Sequence, residues 1–188
     1  MKKAIIICLD GCDPKYIEGD FPNFRRFEQN FGLSVVPTTT NVNGVSIITG
    51  TYPKDHGITS NFYYDRRLGK GFYMESPDFI LVESIFEKAS KKRLRSAVVT
   101  AKDKLRTLLS RGADLSFSAE APIDQIVSKI GPPPDIYSIE VNEWLFMSFL
   151  EVLKRFNPDL SFLMTTDYVM HKFSPGSPKA RRSMEIID

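Results

Sequence analysis

Four short, nearly uninterrupted apolar runs constrain this chain more than any other feature: "AIIICL" (4–9), "LSVV" (33–36), "SAVVT" (96–100) and "LSFLMT" (160–165). A strand exposed on one face alternates apolar with polar residues, whereas continuous apolar runs suit strands covered on both faces. Between the runs, apolar residues recur at helical spacing and predict helices over 22–30, 41–49, 80–92, 103–110, 139–156 and from 178 to the end. In 139–156 the repeat is carried by Trp144, Leu145, Phe149, Val152, Leu153 and Phe156, an aromatic stripe that reads as core. Strands alternating with helices predict an α/β fold, a mostly parallel sheet with helices on both faces.

The stretch 51–77 is rich in Gly and Tyr without periodicity and reads as a long loop or hairpin. "GPPPD" (131–135) reads as a rigid extended connector. The last residues, "ARRSMEIID", read as a helix in progress with neither cap nor breaker. The expectation is therefore a chain that stops within an element.

With 42% hydrophobic residues in 188, the chain can bury a core, and its net charge of +2 does not argue for nucleic acid. The basic run "KKRLR" (91–95) ends a predicted helix, where the dipole favours cations. The start "MKKAIIICLDG" has an apolar part too short for a secretory core, and no run is long enough to span a bilayer. Cys8 and Cys12 are too few for a disulfide framework. A soluble cytoplasmic protein is expected, with no nucleic-acid or membrane partner; a homodimer is compatible with the sequence.

Chemistry gathers after the strands. Asp10 follows the first, "PTTTN" with Thr38, Thr39 and Thr40 follows the second, Lys102 and Lys104 follow the third, and Asp167 and His171 follow the fourth. In a parallel sheet these carboxyl ends share one rim, where ligands of open α/β folds bind. Two carboxylates, an imidazole and a hydroxyl at a helix start suit a metal together with a phosphoryl group. The plainer alternative is that Asp10 and Asp167 only cap turns.

The blocks "LDGCDPKYI", "VPTTTNVNGVSIITGTYPKDHGITSNFYYD" and "DYVMHKFSPGSP" resemble the alkaline phosphatase superfamily in its nucleotide pyrophosphatase/phosphodiesterase branch. "TNVN" where diesterases read "TFPN", with "AVVTAKDKLRTLL", "FSAE" and "DYVMHK", most resembles the phosphonoacetate hydrolases of that branch. The resemblance implies a site with two Zn2+ ions, acting on a small-molecule phosphonate or phosphate ester. Thr40 would be the nucleophile, forming a phospho-threonine, and with Asp10 a ligand of one zinc. Asp167 and His171 would hold the other. Asn61 would hold a phosphoryl oxygen, and Lys102 and Lys104 the substrate carboxylate. His56, in "HGI", reads as structural.

The family pattern needs a second Asp-His pair and a further His, and His56 and His171 are the only histidines. The expectation is that residues 1–188 are the N-terminal part of one alkaline-phosphatase-like hydrolase domain, incomplete at the C-terminus. The remaining ligands are expected beyond Asp188, and the chain alone is expected to bind zinc weakly and to be inactive. Other readings are a phosphodiesterase or nucleotide pyrophosphatase of the same superfamily, and a non-catalytic remnant.

Overall fold

A computed structural model describes residues 3–188. In chain order the elements are β1 (Ala4–Cys8), α1 (Thr40–Thr49), α2 (Pro53–His56), β2 (Phe62–Asp65), β3 (Lys70–Tyr73), α3 (Ile85–Lys91), β4 (Ser96–Thr100) and α4 (Asp103–Leu109). There follow β5 (Leu115–Ser118), α5 (Asp124–Ile130), α6 (Glu140–Arg155), β6 (Leu160–Met164), α7 (Tyr168–Lys172) and α8 (Pro178–Ile187).

The main sheet runs β1-β6-β4-β5, and every pairing in it is parallel. Its alternation splits the core in two. Val98, Phe162 and Met164 face α1, α3 and α4, packing with Val45, Ile48, Phe86, Leu105 and Leu108. Ala97, Val99 and Leu163 face the other way, onto α5 and α6 through Ile126, Trp144, Leu145, Phe149 and Val152. Helices thus cover both faces at β4 and β6, as their apolar runs require, whereas on the edge strand β1 Ile5 and Ile7 stand about half exposed. A third cluster of Tyr16, Phe21, Val169 and Met184 seats α7 and α8 against the segment after β1.

Local chemistry sets the helix ends. Ser84 and Glu87 form a reciprocal capping box that starts α3, with Ser84 Oγ accepting from Glu87 N–H at 3.1 Å and Glu87 Oε2 from Ser84 N–H at 2.8 Å. The helix predicted from 80 therefore begins at 85. Gly50 closes α1 at φ 68°, a left-handed turn that costs glycine little.

Two other expectations are corrected. "LSVV" is no strand: Leu33 and Val36 are exposed, Val35 N–H donates to Asn43 Oδ1, and cis-Pro37 follows. Among the described residues no neighbouring strand reaches it, and apolar character alone cannot supply a ladder. The predicted helix 22–30 shrinks to a 3-10 turn over Phe24–Arg26, with Phe27 exposed beyond it. The fourth strand of the sheet is instead β5, whose "LSFS" reads as polar alternation too short to stand out. Residues 51–77 hold a helical turn and the hairpin β2–β3, where Phe62 pairs with Tyr73 and Tyr63 with Phe72. Among the described residues no helix is long and apolar enough to cross a membrane.

Candidate active site

Register brings the strand ends level: Cys8 and Thr100 both pair with Met164. The residues that follow these three positions therefore meet at one rim. Asp10 and Asp167 are both buried there, and Gly11, at φ 70°, lets the chain turn against α7. A Cβ on Gly11 would stand 3.3 Å from Asp167 Cβ, so only glycine keeps the two carboxylate-bearing segments this close without a shift.

Thr40 opens α1, and its Oγ1 lies 3.3 Å from each carboxylate oxygen of Asp10, to which it donates. No acidic residue occupies the first turn of that helix, leaving its free N–H groups and dipole available to an anion. Thr39 is the N-cap residue, but its hydroxyl makes no capping bond and is buried without a partner. Asp167 is held on both sides. Lys102 Nζ donates to its Oδ1 at 2.5 Å, and His171 Nε2 stands 3.0 Å from its Oδ2.

The charges decide the protonation states. Burial, then the Asp167 carboxylate, outweigh Lys102, Thr40 and His171 and push the Asp10 carboxyl up to about 6. Burial also works to raise Asp167, but Lys102, with help from His171, overcomes it and holds that group below the usual carboxylate range. Two like groups at one rim have been driven apart in proton affinity.

The two lysines part company. Lys102 turns inward, its side chain 19% exposed, while Lys104 is 47% exposed and reaches Glu75 at 3.3 Å. Asn61 lies at the base of the hairpin, tied to the start of α1 through Met74: Met74 N–H donates to Asn61 O, and Asn41 Nδ2 donates to Met74 O. Asn61 Oδ1 is buried without a partner. His56 is fully buried, its Nδ1 accepting from Ile58 N–H at 3.1 Å and its Nε2 within 2.9 Å of Ser46 Oγ.

Sequence reading missed three side chains beside the rim: Glu75, paired with Lys104; Thr165, whose hydroxyl accepts from Asp10 N–H; and Asn142, whose Oδ1 accepts from Thr166 N–H. Glu75 sits in the stretch without periodicity, Asn142 sits inside an amphipathic helix, and Thr165 reads as the end of a strand. None carried a local signal.

For a metal, the donor chemistry fits: carboxylate and hydroxyl oxygen in one pair, carboxylate oxygen and imidazole nitrogen in the other, beside two buried carboxylates whose repulsion a cation would relieve. The count falls short, since catalytic zinc takes three protein ligands. Among the described residues no three His, Cys, Asp or Glu side chains assemble into one cluster.

The fold agrees with comparisons to known proteins. The type I phosphodiesterase / nucleotide pyrophosphatase family matches residues 4–188, and the chain belongs to it, within the alkaline phosphatase superfamily. Among solved structures, phosphonoacetate hydrolase from Sinorhizobium meliloti 1021, in complex with phosphonoformate, is 37% identical with a TM-score of 0.88, over 98% of this chain and 51% of that one. Venom phosphodiesterase of Naja atra is 26% identical over 98% of this chain and 22% of its own length. Murine ectonucleotide pyrophosphatase / phosphodiesterase 5, in complex with AMP, shares the fold at 18% identity and a TM-score of 0.70, over all of this chain and 50% of that one. The chain thus spans about half the length of these solved relatives.

Proposed function

We propose that these residues form one part of an alkaline-phosphatase-like hydrolase domain that cleaves the carbon–phosphorus bond of phosphonoacetate. The observation that carries this is the Thr40–Asp10 pair facing the Lys102–Asp167–His171 group across one rim. The 37% identity to a phosphonoacetate hydrolase supports the choice of substrate.

Asp10 and Thr40 would hold one zinc, and Asp167 and His171 the other, each shell needing donors from outside these pairs. Bound zinc supplies the positive charge that activates a hydroxyl and offsets phosphoryl charge. Asp10 accepts the Thr40 hydrogen bond and so aims Oγ1. The Thr40 hydroxyl gives up its proton to solvent as its oxygen attacks phosphorus, the P–C bond breaks, and its electron pair passes to the acetate carbon and on into the carboxylate. A proton from solvent reaches that carbon and acetate leaves; water then attacks phosphorus, the P–O bond to Thr40 breaks, and one water proton restores the hydroxyl as phosphate departs. Asn61 supports the phosphoryl group.

An alkyl carbanion is a poor leaving group, so charge placed at the acetate carboxylate lowers the barrier. Lys102 reaches the rim but donates to Asp167 Oδ1, and would turn to the substrate carboxylate once a cation takes over Asp167. Lys104 would join it by leaving Glu75, a surface pair worth less than about 1 kcal/mol.

The test joins this chain to the part of the Sinorhizobium hydrolase outside the matched half. Phosphate release from phosphonoacetate is then measured with zinc, beside cleavage of an aryl phosphate diester. A strong preference for phosphonoacetate is expected. Diester cleavage without phosphonoacetate cleavage would move the protein to the phosphodiesterases and leave the lysines without a substrate role. The chain alone is expected to be inactive.

A further inference from the structure

Two buried side chains next to the rim have no part in the chemistry above. Thr165 and Asn142 are each 1% exposed, and each binds one backbone N–H beside a candidate ligand. Thr165 Oγ1 accepts from Asp10 N–H at 3.1 Å, while Thr165 N–H donates to Cys8 O at 3.0 Å. The β1–β6 ladder ends at the Cys8–Met164 pair, and the Thr165 hydroxyl adds one bond beyond it. Asn142, in the first turn of α6, accepts from Thr166 N–H at 3.2 Å through Oδ1.

Both bonds act on the same spacing. Thr165 stands two residues before Asp167, so its hydroxyl ties the Asp10 backbone to the segment that carries the second carboxylate. Asn142 holds the residue between them. Like charges brought together out of water repel, and without such ties the two chain ends would relax apart. Asn142 also bears a cost that packing does not explain: its Nδ2 is buried with no partner. An apolar residue of that size would fill the space without an unpaired side-chain N–H but would strand the Thr166 N–H, so the side chain is better explained by the one bond it makes.

We propose that Thr165 and Asn142 are positioning residues that set the separation of the Asp10 and Asp167 carboxylates, and through it the metal affinity of the rim. This rests on the zinc reading given above. Partners of this kind, behind the ligands themselves, typically alter metal affinity by 10–100-fold when removed.

The test is a calorimetric zinc titration of the joined domain described above, with thermal melts in metal-free buffer as the measure of folding. Thr165→Ser keeps the hydroxyl and should bind zinc within about threefold of the parent. Thr165→Val keeps the shape without the acceptor and should lose about tenfold or more, as should Asn142→Leu. If Thr165→Val does not fold, the Asn142 pair decides. Asn142→Asp keeps the acceptor at a helix start that tolerates an anion and should retain the affinity that Asn142→Leu loses. Parent-like zinc affinity in Thr165→Val and Asn142→Leu, with lowered melting, would overturn the proposal and leave the two residues purely structural. A joined domain that folds but binds no zinc at all would overturn the zinc reading itself, and the positioning role with it.

Discussion

Thr40 Oγ1 stands 3.3 Å from both carboxylate oxygens of Asp10, although 30 residues separate them in the chain. The contact joins the end of the edge strand β1 to the start of α1, and it exists because the segment between them returns to the same rim. It also links hydroxyl and carboxylate electrically: the Thr40 bond favours the charged form of Asp10, against burial and Asp167, which favour the neutral one.

The raised Asp10 pKa makes a stability prediction. A carboxyl lifted from its ordinary 3.8 to about 6 binds its proton more tightly folded than unfolded. Its contribution is therefore intact below the ordinary value and is lost as pH rises through about 6. At pH 7.5 the loss is about 3 kcal/mol. Asp10→Asn, melted in metal-free buffer, should gain roughly 5–10 °C at pH 7.5 and little at pH 4. An equal gain at both pH values would assign the effect to packing rather than charge.

Thr40 is the proposed nucleophile, and two substitutions separate that role from packing. In the joined domain described above, Thr40→Ala should abolish phosphate release to within about a thousandth of the parent rate, a loss of about 4 kcal/mol in the barrier. Thr40→Ser keeps a hydroxyl and should retain measurable activity. Thr40→Ala that stays active would remove Thr40 from the chemistry.

Lys102 and Lys104 should differ sharply. Removing Lys102 strands a mostly buried Asp167 carboxylate, and Lys102→Met should cost about 2–3 kcal/mol in metal-free urea denaturation. Lys104→Met breaks a half-exposed pair with Glu75 and should cost less than about 1 kcal/mol. In the joined domain both should damage phosphonoacetate cleavage more than cleavage of a substrate lacking the carboxylate. Equal damage on both substrates would sink the carboxylate assignment.

His56 should behave as a folding residue. Burial holds its imidazole below the ordinary 6.5, so its contribution is present above that value and is lost as pH falls below it. His56→Leu leaves the Ile58 N–H unpaired in the interior and should cost about 2 kcal/mol. Zinc affinity measured by titration should stay unchanged. A tenfold drop would make His56 part of the rim.

Much of the fold was legible because it is written locally. Three of the four apolar runs are strands of the sheet, and α6 buries Trp144, Leu145, Phe149 and Val152 as its spacing predicts. "LSVV" failed because an apolar run becomes a strand only where a neighbour offers its N–H and C=O groups, and Leu33 and Val36 stand in solvent instead. β5 was missed for the opposite reason: a polar-looking "LSFS" is recruited by β4, which pairs with it from Ala97 to Thr100.

By itself the sequence determined the alternation of strand and helix, and hence which residues follow strands: Asp10, Lys102, Asp167 and, one turn later, His171. Periodicity and adjacency are encoded within a few neighbouring residues, so they survive reading one stretch at a time. Only the tertiary structure decided how those residues pair. It turned Lys102 onto Asp167 and Lys104 onto Glu75, though two positions separate them, and it brought the Thr165 hydroxyl to the Asp10 backbone across 155 residues. Such pairings depend on the register of distant strands and on the turns after them. No single stretch contains that information.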